Sequence, residues 1–157
     1  MPGVTWISSS GSPERAGRPA MTKLAAAFSW FLGLGFGLPC GYAIWYLADR
    51  GSVWTFLGFP TYGEGPFEDV GLETTPPLLV AFLLVCMAEL VAGWLLWRHR
   101  RAGGLLALAL LPLEFAFWIG FALPLGPVVG LARTVLVIMA WSTLRRPTPS
   151  LDERDAA

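Results

Sequence analysis

Charged side chains are scarce in this chain, at 14% of 157 residues, while apolar residues make up 55% and mean hydropathy is +0.58. A soluble domain carries about 25% charged residues, so a water-soluble fold that hides this much apolar surface is excluded. Lysine occurs once, at Lys23, net charge is zero and no basic stripe exists, which excludes a nucleic-acid partner. Histidine also occurs once, at His99, in a basic turn where it meets headgroups. The two cysteines, Cys40 and Cys86, lie in different apolar stretches without CxxC or Cys/His spacing. That excludes a disulfide framework and a zinc site, and no metal is expected. Neither a nucleophile beside a base nor a glycine-rich phosphate loop occurs, so no catalytic residue is assigned and the reading leans away from an enzyme.

What is present is a series of long uncharged runs. Leu24 to Ala48 carries no charge and is long enough, at ~1.5 Å per residue, to cross a hydrocarbon core of about 30 Å. Three further runs cover 76–97, 103–123 and 126–144, broken only by Glu89, Glu114 and Arg133 respectively. The expected fold is all-α, an integral membrane four-helix bundle occupying residues 24–145. Residues 1–23 and 146–157 read as disordered cytoplasmic tails, with Met21 an alternative start. Arg15, Arg18 and Lys23, then Arg98, Arg100 and Arg101, then Arg145 and Arg146 all flank one side. Positive charge stays inside, so both termini are expected to be cytoplasmic. Trp30, Trp45, Tyr46, Trp54, Trp94, Trp97 and Trp141 fall near span ends, as interfacial anchors do. Arginine dominating over lysine suggests a bacterial chain from a GC-rich genome, hence the inner, plasma membrane as a multi-pass protein.

Basic residues before an apolar run also resemble a signal peptide, but the run is too long and no small-x-small site closes it. Gly37, Leu38 and Pro39 before Cys40 do not make a lipobox.

A long outer loop, Asp49 to Thr75, joins the first two spans and mixes Trp54, Phe56, Phe59, Tyr62 and Phe67 with Glu64, Glu68, Asp69 and Glu73. Its aromatic content predicts that it folds over the outer mouth with a short interfacial helix. The alternative is a solvated acidic loop whose aromatics rest on headgroups.

Gly33, Gly37 and Gly41 in the first span, and Gly126 and Gly130 in the fourth, recur every four residues. Such faces permit close helix approach, within the bundle or between copies. Pro39 and Pro112 lie inside spans, where each frees a backbone carbonyl and kinks its helix.

Glu89, Glu114 and Arg133 are the most informative residues, because an ionisable group at mid-bilayer costs about 2.5 to 3.5 kcal/mol on the insertion scale. They should face one another or a cavity. Counted from the outer ends, Glu89 lies ~19 Å deep, Glu114 ~15 Å and Arg133 ~10 Å, within reach of a long arginine and helix tilt. Two carboxylates against one guanidinium leave one negative charge in excess, a balance that a retained proton restores. A proton or ligand site and a structural hydrogen-bonded triad both satisfy this pattern. Cys40 and Cys86, ~12 Å and ~15 Å deep on neighbouring helices, form a candidate redox pair or two small buried hydrophobes.

The segment Glu89-Leu90-Val91-Ala92-Gly93-Trp94-Leu95-Leu96, followed by basic residues and then Ala102, Gly103 and Leu105, resembles the second helix and following turn of DoxX-like membrane proteins. The likeness covers about a fifth of the chain, with Glu89 as the family-like glutamate. It implies a small membrane subunit associated with thiol or quinone redox chemistry, often without catalytic residues of its own. The first span lacks the charged start of that family, and neither the long loop nor Arg133 belongs to its pattern.

The expectation is therefore a non-catalytic accessory or small-apolar-ligand-binding subunit. No cofactor is evident, and a quinone or another apolar molecule is the compatible ligand class. Its partners would be the bilayer and a membrane protein or a second copy. A small proton-coupled carrier acting as an oligomer, and a structural scaffold, are the alternatives.

Overall fold

The computed structural model describes residues 13–144, without the side chains of residues 13–19 and of Phe59. It is helical apart from one two-stranded ladder. Helix α1 spans Pro13–Arg50, the short α2 Pro66–Asp69, α3 Pro76–Trp97, α4 Arg101–Gly120 and α5 Leu125–Met139. A 3-10 turn, Trp141–Thr143, follows α5.

Three of these helices are long and apolar enough to cross a membrane: Ala20–Arg50 within α1, α3 and α4. Helix α5 has 15 residues, about 22 Å at the α-helical rise, and falls short of a full span by itself. The turn at Trp141–Thr143 carries helical backbone onward to nearly the end of the expected 126–144 run.

Besides the earlier end of α5 at Met139, two boundaries differ from expectation. Helix α1 starts at Pro13, so residues 13–23 are helical where a tail was expected. Proline suits a first helical position, and adding turns to a helix already formed downstream avoids the cost of nucleation. Thr22, Ala25 and Ala26 are fully buried, and Thr22 Oγ1 lies 3.1 Å from Thr143 Oγ1, so this part of α1 belongs to the packed body. The expected tails at 1–12 and 145–157 lie outside the described residues. Helix α4 stops at Gly120 rather than 123, because Ala122 adopts φ 54° and two reversed hydrogen bonds close the end: Leu123 N–H to Trp118 O, and Ala122 N–H to Ile119 O. That is a Schellman closure. His99, also at φ 54°, closes α3 in the same way, through Arg100 N–H to Leu95 O and His99 N–H to Leu96 O.

Helix α1 packs against α3 and α5, α3 against α4, and α4 against α5. Along each helix the inward positions follow three-and-four spacing, for example Leu79, Phe82, Val85, Cys86, Glu89, Ala92, Gly93 and Leu96 on α3. Outward positions are apolar as well: Leu38 is 70% exposed, Leu84 65%, Val128 66% and Ile138 60%. Water does not tolerate such a continuous apolar exterior, whereas lipid does. The interior divides into two apolar clusters. One, nearer the loop, holds Leu32, Cys40, Tyr62, Phe82, Phe117, Trp118 and Phe121; the other holds Ala25, Ala26, Ala92, Leu96, Ala107, Val137 and Leu144. On α3, α4 and α5 the single buried charge falls between the residues of these clusters.

The two ends carry opposite charge. At one end Lys23 lies 5.4 Å from the centre of the Trp97 ring, Arg98 covers Trp94, and Arg101 Nε donates to Leu144 O at 3.0 Å. The other end is capped by the loop bearing Glu64, Glu68, Asp69 and Glu73. There Thr55–Phe56 pairs antiparallel with Phe59–Pro60 around Leu57 and Gly58, both at positive φ, as a tight two-residue hairpin requires. The loop does not lie flat: Tyr62 is 1% exposed and donates its hydroxyl to Phe36 O at 2.8 Å. Its ring meets Phe82 and Phe121, and Phe67 stands edge-on to Phe117 and Phe121. Gly65 admits this closure, since a Cβ there would strike the Gly120 carbonyl. Burial pushes the Tyr62 phenol above its ordinary range, so it remains a neutral donor. Phe56 and Leu57 stay outside, 58% and 83% exposed.

Candidate functional site: a buried ion triad

Glu89, Glu114 and Arg133 come from three helices and meet inside the protein, exposed by 2%, 1% and 0%. On each helix the charge shares a face with residues that fit an interior: Cys86 and Gly93 on α3, Ala107 and Phe117 on α4, Gly130 and Val137 on α5. Burying those faces leaves the charges no route to solvent, so they must satisfy one another.

Arg133 does this mainly with Glu114. Its Nη1 donates to Glu114 Oε1 at 3.1 Å and its Nη2 to Oε2 at 2.8 Å, a two-pronged pairing that suits the planar guanidinium. Nη2 also donates to the Ala107 carbonyl at 3.1 Å. The next carbonyl, Leu108, is the one that Pro112 deprives of its helical donor. Glu89 is held differently. Its Oε1 forms an ion pair with Arg133 Nη1, but neither carboxylate oxygen has a hydrogen-bond partner. Arg133 Nε and Ser29 Oγ are likewise buried without partners. The triad is thus one two-pronged pair plus a second carboxylate that forms an ion pair with the same guanidinium.

A small gap adjoins it, lined by Leu32 and Phe36 of α1, Phe82, Val85, Cys86 and Glu89 of α3, and Glu114 and Trp118 of α4. It has room for about one water molecule. Among the described residues no group of three metal-ligating side chains occurs.

The glycines divide by role. A Cβ on Gly33 would sit 2.9 Å from the Cys86 carbonyl oxygen and one on Gly37 3.2 Å from Cys86 Cβ, so these two let α1 approach α3. Gly41, in the same register, faces open space. Gly126 and Gly130 receive the Trp118 indole rather than another helix backbone. A glycine pair four residues apart makes a groove, and the sequence does not say whether a backbone or a ring fills it. Trp118 and Ser29 join the interior without having stood out in the sequence, since they match ordinary interfacial or core residues. Cys40 and Cys86 are both free thiols within the loop-side apolar cluster; Cys40 Sγ donates to Leu79 O at 3.3 Å and Cys86 borders the gap.

Compared with known proteins, the chain matches no protein-family model, no curated protein and no solved structure.

Proposed function

We propose that this chain is a four-span protein of a bacterial plasma membrane, with both termini cytoplasmic, serving as a non-catalytic accessory subunit whose Glu89–Arg133–Glu114 triad locks the helices together. The observation that carries this reading is the triad itself, closed off from solvent inside an apolar exterior. A charge cluster with room beside it for about one water suits a fixed internal brace better than a centre that turns over a substrate. Lys23, Arg98 and Arg101 gathered at one end and the acidic loop at the other support the orientation. A DoxX-like role beside a redox partner fits the same picture. A quinone or other small apolar ligand would need α3 and α4 to part, or would sit on the lipid-facing side.

A second reading, a small proton-coupled carrier working as an oligomer, is favoured by one observation: the two Glu89 oxygens buried without hydrogen-bond partners. Native mass spectrometry of the protein in lipid nanodiscs, wild type against Glu114→Gln, separates these readings from a ligand-binding role. The accessory reading expects intact folded protein, alone or with a protein partner, and no bound small molecule in either form. A small molecule retained by the wild type and lost from the variant would replace it with ligand binding. Proton-driven flux in proteoliposomes that disappears in Glu114→Gln would replace it with the carrier.

A further inference from the structure

The gap beside the triad places buried charge next to free space. Glu89, 2% exposed, is among its lining residues, and beyond the ion pair of Oε1 with Arg133 its carboxylate has no hydrogen-bond partner. Glu114 borders the same gap from α4, with its oxygens already engaged by Arg133 but each retaining a second lone pair. Purely apolar gaps of this size stay dry, whereas those with several polar partners hold water. Apolar side chains, Val85, Phe36 and Trp118 among them, and the weakly polar Cys86 thiol make up the rest of the lining, so the carboxylates are the strong hydrogen-bonding partners there.

Charge count adds a second constraint. One guanidinium faces two carboxylates, among the described residues the gap is bordered by no charged side chain but Glu89 and Glu114, and the cluster is neutral only when it also holds one proton. Two carboxyls that share a site this closely hold and release that proton as a pair.

We propose that this gap binds one water molecule, which bridges Glu89 and Glu114 and shares with them a single exchangeable proton. One carboxyl donates its proton to the water oxygen, and a water O–H donates to the other carboxylate. Reversing the chain moves the proton between the two glutamates, breaking one O–H bond at each donor and forming one at each acceptor, with no net change of atoms or charge. The bridge supplies one of the hydrogen bonds that Glu89 lacks. It rests on the membrane-embedded reading above, because only exclusion from bulk water makes a single trapped molecule distinct.

The test is infrared spectroscopy of the full chain in phosphatidylethanolamine–phosphatidylglycerol nanodiscs at neutral pH, with H2O exchanged for D2O and for H2-18O. Wild type should show a protonated-carboxyl stretch that shifts in D2O, together with an internal water stretch that shifts in H2-18O. Glu89→Gln and Glu114→Gln should each lose the carboxyl stretch, since one carboxylate then balances Arg133. Val85→Leu, which leaves every charged group in place and fills the gap, should keep the carboxyl stretch and lose the water stretch. An inserted, helical wild-type protein with no protonated carboxyl, or with a water stretch unchanged in Val85→Leu, overturns the proposal while leaving the membrane reading intact. A chain that stays dispersed and folded without lipid overturns both.

Discussion

Removing the Arg133 guanidinium is the sharpest perturbation of the triad. Arg133→Met keeps an unbranched apolar stem of similar reach but deletes two donors to Glu114, one to Ala107 O and the ion pair to Glu89. Hydrogen bonds between membrane helices average about 0.6 kcal/mol each, so three of them account for roughly 2 kcal/mol. Leaving two carboxylates buried without their cation raises the expected loss to about 3 to 5 kcal/mol, the range for breaking a buried pair by removing one partner. That corresponds to between roughly two and three and a half powers of ten in the folding equilibrium. Replacing all three together, Glu89→Leu, Glu114→Leu and Arg133→Met, should recover most of the loss, because no charge is then left unpaired. The assay is reversible unfolding in mixed bicelles with increasing dodecyl sulfate, followed by circular dichroism. An Arg133→Met protein within about 0.5 kcal/mol of wild type, inside the usual range for changes at unimportant positions, would refute the triad as the lock of the fold.

Other outcomes follow from the surrounding packing. Gly130→Leu drives a side chain into the Trp118 indole and should cost about 1 to 3 kcal/mol, the range for overpacking; Trp118→Ala in the same protein should restore part of it, read by the same unfolding assay. The Tyr62 phenol is neutral in the folded loop and its pKa is raised by burial, so its contribution is present below the unfolded value near 10 and falls as pH rises above it. Proteolysis of the loop should therefore speed up above about pH 10 in wild type, and Tyr62→Phe, which cannot ionise, should remove that pH dependence. In a Cys40→Ala, Cys86→Ala background, Ser52→Cys should react with a membrane-impermeant maleimide on intact cells and Ser142→Cys only after lysis; the reverse pattern would invert the proposed orientation.

Much of the architecture was legible because the bilayer imposes simple rules on a chain. An uncharged run of about 20 residues has few fates other than a spanning helix, which is why 76–97 reads directly as α3. A charge inside such a run must face inward, so Glu89, Glu114 and Arg133 stand out from composition and spacing alone. The loop's aromatics likewise announced a folded segment, and Tyr62 and Phe67 take that place.

What spacing cannot carry is the rotation of one helix against another and the choice of rotamer, since both depend on every neighbour at once. Tertiary packing decided that Arg133 grips Glu114 with both prongs and meets Glu89 through one ion pair, that Trp118 fills the groove of Gly126 and Gly130, and that Gly41 faces open space. It also decided that helical structure runs back through Thr22, within the expected tail, where Thr22 is buried and meets Thr143. That these charges face inward was legible from the sequence, because an apolar run gives a charge no other favourable place; pairing and the water-sized gap beside Glu89 were set by the fit of the helices against one another.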